Sequence, residues 1–171
     1  MSLGKRPLFI DATFFLGMHD MNENRRLCSL QFFIRHLEEA LYMNLEQVGL
    51  CDDVIWARRR EEQDAYYPFM DNLHSCMTIR RIGYQCEDLM AAVNDSRYAG
   101  LSLQQACTLA QVCNCNGVLA THDPRLKSDP RFQSSLACWV EDGTTIFPPT
   151  LESLYQQSAA LKLDLKGSRY V

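Results

Sequence analysis

The sequence contains no long apolar run and no phosphate-binding or nucleophile motif. Its apolar stretches are far shorter than the roughly 18 residues of a membrane-spanning helix. Residues 8–10 are too few for the hydrophobic region of an export signal. A Gly-rich phosphate loop and a Gly-x-Ser-x-Gly elbow are both absent. We therefore expect a cytoplasmic chain without a membrane span, and neither a P-loop enzyme nor a serine hydrolase.

Lysine is scarce, with 4 residues against 13 arginines, and 21 acidic residues outnumber 17 basic ones. The formal net charge of −4 does not attract a polyanion to the whole surface. Nucleic acid could therefore bind only through a local basic patch. Because the planar fork of arginine suits phosphate, the runs at residues 58–60 and 80–81 and the single Arg125 are candidate contacts.

Cysteine is frequent, with 8 residues, but the spacing of a metal clamp is missing. Cys113 and Cys115 are two positions apart rather than three, and no histidine pair at ligand spacing accompanies them. Cys107 and Cys138 fall where a buried apolar residue is expected. Because we see no export signal, we expect reduced, mostly buried cysteines rather than a disulfide framework.

The 171 residues, 47% of them apolar and 22% charged, indicate one soluble domain. Short apolar runs predict strands, and apolar steps of three and four predict helices. The predicted strands cover residues 7–12, 46–51, 78–82 and 118–120, with edge strands at 138–140 and 145–147. The first predicted helix runs from Asn22 or Asn24 through Leu41. The second runs from Asp52 or Asp53 to near Met77, with a kink or break at Pro68. Three more are predicted over residues 87–94, from Ser102 to Gly117, and from Thr150 onward.

Strands and helices alternate along the whole chain, without repeats or linkers. This order predicts right-handed crossovers and a mostly parallel sheet with helices on both faces. We therefore expect a single α/β domain with a loose tail from about residue 165.

Two predicted strands end in an acid, Asp11 after the first and Asp123 after the fourth. Ligands of parallel sheets bind at the carboxyl ends of strands, and two carboxylates that meet there need a cation or a shared proton. Mg²⁺ or Mn²⁺ suits such a site and can activate water against a phosphodiester. Thr13 and Thr121 add hydroxyls that could orient an acid. The alternative is that each aspartate only caps the turn after its strand.

Three segments carry a family resemblance. FIDAT at residues 9–13 resembles the first strand of PIN domains, and GLSLQQACTLAQ at 100–111 with GVLATHD at 117–123 resembles their later helix and strand. IFPPTLE at 146–152 is similar to the closing strand and helix start of that fold. The likeness covers about residues 6–155, and the order of the short motifs is more specific than any one of them.

The resemblance implies a three-layer α/β/α sandwich with a mostly parallel central sheet, forming one PIN-like domain. It also implies a cluster of three or four acids that binds Mg²⁺ or Mn²⁺ and hydrolyses RNA. Many PIN proteins are the toxins of bacterial toxin–antitoxin pairs, so an antitoxin or another protein partner is a further expectation.

The acidic site is reduced relative to that pattern. PIN domains usually have an acid immediately before the alanine of the later helix, where this sequence has Gln105. The second acid of the family, a glutamate one turn into the helix after the second strand, is expected near Trp56 or Ala57, and neither residue is acidic. Asp53 is the candidate third ligand, with Asp52 as its alternative.

Other residues have more than one interpretation. Arg58 and Arg125 could contact phosphate, although consecutive arginines on a helix cannot share one face and commonly pair with neighbouring acids. His122 could shuttle a proton near the metal or make a structural hydrogen bond. The aromatic cluster at residues 66–69 could stack on bases, belong to the core or form a homodimer contact.

The leading hypothesis is a divalent-metal-dependent ribonuclease in which Asp11 and Asp123 hold the metal ion and Asp53 assists. The alternative is a non-catalytic PIN-like binding or scaffold protein, favoured by Gln105 and the missing helical glutamate. A phosphatase-like or nucleotide-binding α/β protein is the third reading.

Overall fold

Short parallel strands and longer helices make up the chain in the computed structural model, which describes residues 5–138 and 143–165. The strands are β1 (Leu8–Ile10), β2 (Ala40–Asn44), β3 (Thr78–Ile82) and β4 (Val118–Ala120). The helices are α1 (Ala12–Leu16), α2 (Glu23–Arg35), α3 (Leu45–Trp56), α4 (Arg60–Cys76), α5 (Cys86–Asn94), α6 (Leu103–Asn114), α7 (Pro124–Ser128) and α8 (Pro149–Ser158). Three 3-10 turns lie at Gly17–His19, Ser96–Tyr98 and Pro130–Ser135.

The four strands form one sheet in the order β3-β2-β1-β4, and all three pairings are parallel. Ile10, the last residue of β1, is in register with Met43 on one side and with Ala120 on the other. The carboxyl ends of β1 and β4 therefore meet at the same edge of the sheet. This pairing decides where the residues that follow those strands lie.

Alternating side chains of the sheet enter two apolar cores. Leu8 and Ile10 face a core shared with α1, α2, α3, α4 and α8, whereas Phe9 and Leu119 face a second core shared with α6, α7 and Phe132. The predicted three-layer α/β/α sandwich is confirmed. Within the described residues, no helix is both long enough and apolar enough to cross a membrane.

Capping side chains begin several of the helices. Asn22 accepts from Arg25 N at the start of α2, and Asn44 accepts from Glu46 N at the start of α3. Ser102 and Gln105 form a reciprocal capping box at the start of α6. The caps predicted at Asn22 and Ser102 are therefore confirmed.

The second strand is the main error of the sequence prediction. It was expected at residues 46–51, but that segment belongs to α3, and the strand lies earlier, at Ala40–Asn44. The helix expected to reach Leu41 ends at Arg35 instead. Leu41 continues the apolar spacing of α2, but it also alternates with Met43 as a strand residue, and both are buried in the sheet.

Three further boundaries differ from prediction. Pro68 lies inside a continuous α4, α6 ends before Gly117 with Asn116 in the left-handed conformation (φ 51°), and residues 145–147 form no strand. Residues 139–140 of the other predicted edge strand and the tail after Leu165 lie outside the described residues. Within the described residues no disulfide joins the eight cysteines, but Cys138 is exposed, against the prediction of burial, as are Cys76, Cys86 and Cys115.

Gly117→Ala tests the tight approach of this position to β1. An added Cβ would lie 2.7–2.9 Å from the Phe9 ring and the Pro7 carbonyl oxygen. We expect urea unfolding to show a loss of about 1–3 kcal/mol in the free energy of unfolding. The control is Gly49→Ala in α3, where no neighbouring atom lies within 4 Å. That change should stabilise the protein by about 0.5–1 kcal/mol, and an equal loss in both variants would contradict this packing argument.

Candidate active site at the carboxyl ends of β1 and β4

Asp11 directly follows β1 and caps α1. Its Oδ1 accepts from Phe14 N at 2.9 Å and from Thr13 Oγ1 at 2.7 Å, and its Oδ2 accepts from Thr121 Oγ1. Only 5% of the residue is exposed. Burial raises the pKa of Asp11 from its ordinary 3.8 to about 6, although these hydrogen bonds act in the opposite direction.

Two threonine hydroxyls join Asp11 to the loop after β4. Thr13 donates to Asp11 and accepts from His122 N at 2.9 Å. Thr121 donates to Asp11 and accepts from Asp123 N at 2.9 Å. The orienting role expected for both threonines therefore has a definite geometry, because each hydroxyl links the carboxylate to a backbone N–H of the neighbouring strand end.

Asp123 follows β4 and caps α7. Its Oδ1 accepts from Arg125 N at 2.8 Å and Leu126 N at 3.3 Å. Its Oδ2 accepts from Gln105 Nε2 at 2.6 Å. Asp123 also raises the pKa of Asp11 through its charge, so the two carboxylates interact. Capping and membership of a shared site, which the sequence left as alternatives, occur together at both residues.

Both aspartates line one cleft of about 400 Å³ between α6, α7 and the carboxyl edge of the sheet. Nine of its eleven lining residues are of polar type: Asp11, Thr13, Gln47, Ser102, Gln104, Gln105, Thr108, Asp123 and Arg125, with Pro124 and Leu126 beside them. The observed register of β1 and β4 thus brings the two predicted acids to a common, solvent-accessible site.

Gln47 is the site residue that the sequence analysis missed. Its Oε1 accepts from Ala12 N at 2.9 Å, and its Nε2 donates to Thr108 Oγ1 at 3.3 Å. Because β2 ends at Asn44, Gln47 lies one turn into the helix after the second strand, the position at which the resemblance to PIN domains implies a glutamate. The expectation of that position near Trp56 was wrong because the strand had been placed too late.

Two predicted site residues lie elsewhere. Asp53 is exposed on α3 and does not line the cleft. It is six residues beyond Gln47, which places it about 9 Å along the helix axis and about 240° around it. Arg58 follows α3, farther still from Gln47, and likewise does not line the cleft. Arg125, by contrast, is at the rim of the cleft.

The ring of His122 does not join the acidic site. Its Nε2 lies 2.8 Å from Ser29 Oγ, and the ring stacks on Phe14 with centroids 4.5 Å apart. Burial lowers the pKa of His122 to about 4. The ring is therefore neutral near pH 7 and does not line the cleft, which favours the structural hydrogen bond over the proton shuttle, while the backbone N–H of His122 supports Thr13.

The donor set of the cleft fits a divalent cation only in part. Among the described residues, no group of three or more His, Cys, Asp or Glu side chains could hold a metal ion. However, Asp11 Oδ2 and Asp123 Oδ2 each accept a single hydrogen bond within that part of the chain. Mg²⁺ is commonly held by one or two carboxylates plus substrate phosphates and water. The residues present therefore fit a cation that arrives with a phosphate-bearing substrate.

The sequence matches the family of unknown function DUF6190 over residues 1–168. The chain belongs to this family. No curated protein matches it. The fold of this DUF6190 chain is similar to the crystal structure of PAE2754 from Pyrobaculum aerophilum, with a TM-score of 0.52 and 16% identity over 93% of this chain and 94% of that one. At this identity the likeness shows the α/β/α fold, and the chemistry must be argued from the cleft itself.

The raised pKa of Asp11 predicts a pH-dependent stability that Asp11→Asn removes. Between pH 4 and 6 the folded state binds this proton more tightly than the unfolded state, so stability falls as the pH rises through that window. A shift from 3.8 to about 6 corresponds to about 3 kcal/mol. We expect urea unfolding in EDTA to show that the free energy of unfolding of the variant, relative to that of the wild type, rises by up to this amount from pH 4 to 7. A difference that stays constant with pH would contradict the assignment.

Proposed function

We propose that this chain is a PIN-like ribonuclease with a reduced acidic site, which uses a divalent cation, Mg²⁺ or Mn²⁺, bound together with RNA. The observation that supports it is the convergence of Asp11 and Asp123, 112 positions apart in the sequence, in one cleft at the carboxyl edge of the sheet. Such clefts are where parallel α/β sheets bind their ligands.

Asp11 and Asp123 would hold the cation through the Oδ2 oxygens that have a single hydrogen-bond donor each. A cation in this place supplies charge stabilisation and an activated water for phosphodiester hydrolysis. Thr13 and Thr121 keep the Asp11 carboxylate in a fixed orientation, because each hydroxyl is itself anchored by a backbone N–H. This preorganisation costs no rearrangement when substrate arrives.

The remaining polar groups position RNA. Arg125 is exposed at the rim, where its guanidinium can pair with a backbone phosphate outside the cleft. Gln47 holds the first turn of α1 through Ala12 N and so keeps Asp11 and Thr13 in place. Gln104 lines the cleft and offers an amide to a ribose or a base.

Cleavage of a fluorescent mixed RNA pool in Mn²⁺ tests the proposal. Asp11→Asn and Asp123→Asn should each lower the rate by about 100-fold or more, a loss typical of a removed catalytic group. EDTA should abolish the activity. Asp53→Asn, whose side chain lies outside the cleft, should cleave within twofold of the wild type, and equal rates for wild type and Asp11→Asn would rule out a catalytic Asp11.

A second candidate function is a non-catalytic PIN-like binding or scaffold protein. The specific observation in its favour is that amides stand where the PIN pattern has acids: Gln105 donates to Asp123, and Gln47 donates to Thr108. A donated hydrogen bond already offsets the charge of Asp123 without a metal ion. In that case the wild type would bind RNA or a protein partner without cleaving RNA.

Introducing an acid at both glutamines tests whether the cleft can hold a cation, by a measurement other than cleavage. Gln47→Glu/Gln105→Glu would place four carboxylates in the cleft, so we expect a lower Tm than the wild type in EDTA because of their repulsion. Mn²⁺ should then raise the Tm of the double variant by several degrees more than that of the wild type. Gln31→Glu/Gln157→Glu, on α2 and α8, adds the same two charges away from the cleft, and an equal Mn²⁺ response in all three proteins would argue against any cation site here.

A further inference from the structure

A second cleft lies on the other side of α3, between that helix, α4 and β3. Its volume is about 260 Å³, and it shares no lining residue with the first cleft. The lining is largely apolar, with Met43, Val48, Ile55, Met70 and Tyr67 among its residues. The cleft is thus large enough for one or two side chains of another chain and has an apolar floor to receive them.

Two carboxylates from different helices also line this cleft, Asp52 on α3 and Asp71 on α4. Both residues are exposed. Within the part of the chain that the structure describes, neither carboxylate forms an ion pair or accepts a hydrogen bond. Exposed acids beside an apolar floor suit a ligand that combines an apolar stem with a cation.

The basic groups at the cleft do not cancel these charges. His74 lines it, but burial lowers the pKa of His74, so the ring is neutral near pH 7. Arg81 of the adjoining strand is the remaining cation of the lining. Two carboxylates therefore face one guanidinium, and the cleft is acidic on balance.

The surrounding hairpin has the same sign of charge. Residues 45–76, which form α3 and α4, contain seven acidic residues against three arginines. Two of those arginines already pair with acids of α4, Arg59 with Glu62 and Arg60 with Asp64. A phosphate backbone is repelled by this field, whereas a basic peptide is attracted.

We propose that this second cleft is a docking site for a basic, amphipathic segment of a partner protein. Apolar side chains of the segment pack on the floor formed by Val48, Ile55 and Met70. A lysine or arginine beside them places its charged end near Asp52 and Asp71. The charge complementarity selects a basic segment over an acidic one, and the apolar floor selects it over a purely polar one.

Three peptides with a fluorophore on the N-terminus and an amidated C-terminus test the two requirements separately by fluorescence anisotropy: (Leu-Lys)3, (Leu-Glu)3 and (Ser-Lys)3. We expect saturable binding of the first peptide and binding at least tenfold weaker for the other two. In ¹³C-methyl methionine spectra, the first peptide should shift Met43 and Met70, which line the cleft, and leave Met90 on α5 unchanged.

The matched variants are Asp52→Asn/Asp71→Asn and, as a control of equal net charge, Glu61→Gln/Glu87→Gln. All four residues are exposed, so folding is expected to be unaffected. The first pair of substitutions should lower the affinity for the leucine–lysine peptide at least tenfold, and the second pair should change this affinity by less than twofold. Equal losses in both variants, no saturable binding up to millimolar peptide, or preferential binding of an RNA oligomer at this cleft would overturn the proposal.

Discussion

The candidate site depends on the hydrogen bonds that the buried carboxylate of Asp11 accepts. A carboxylate buried to this extent is stable only with several donors, and the chain provides them from both sides of the β1–β4 pair: Phe14 N and Thr13 from its own strand end, and Thr121 from the other. The same contacts therefore start α1, fix the loop that presents Asp123, and orient the two acids toward one cleft. The structural capping by Asp11 and its proposed chemical role therefore depend on the same contacts.

The two glutamines determine what this acidic pair can do. Each amide uses its oxygen on a backbone N–H, Ala12 for Gln47 and Ser102 for Gln105, and its NH2 on an oxygen of the cleft. Each amide oxygen accepts one backbone hydrogen bond within the described residues and carries no negative charge, so it is a weaker ligand for a cation than either carboxylate. In the proposed function, the cleft would therefore offer two acidic ligands, and substrate phosphate would complete the coordination of the cation. The proposed ribonuclease and the proposed binding protein therefore differ in whether a cation enters the cleft together with RNA.

The sequence was most informative where a short apolar run ends in a polar residue. β1 and β4 and the positions of Asp11 and Asp123 follow from such runs, because a strand buried on both faces is apolar and a polar residue marks its end. β2 could not be found in this way, since Leu41 and Met43 fit the helical spacing of α2 as well as the alternation of a strand. Only the pairing of β2 with β1 and β3 distinguishes the strand from a longer α2, and this pairing cannot be read from the local sequence.

The late placement of β2 also changed which residues were expected at the site. With β2 set too late, the residue one turn into the next helix was Trp56 rather than Gln47, and Asp53 looked like the nearest substitute. The orientation of His122 was equally hidden, because the Ser29 and Phe14 contacts that hold its ring come from α1 and α2. Residues on a strand end can be placed from sequence, but the direction of their side chains depends on helices packed from elsewhere.

Helix α3 separates the two clefts and contributes lining residues to each of them. Gln47 faces the acidic cleft, and Val48, Asp52 and Ile55 face the second one. The position of the helix is set at its first turn, by the Asn44 cap and the bond from Ala12 N to Gln47. A substitution that shifts α3 would therefore change both clefts at once, whereas exchanging the exposed carboxylate of Asp52 for an amide leaves the packing intact. For this reason the chemistry of each cleft is best separated by isosteric changes at its polar side chains rather than by changes to its apolar floor.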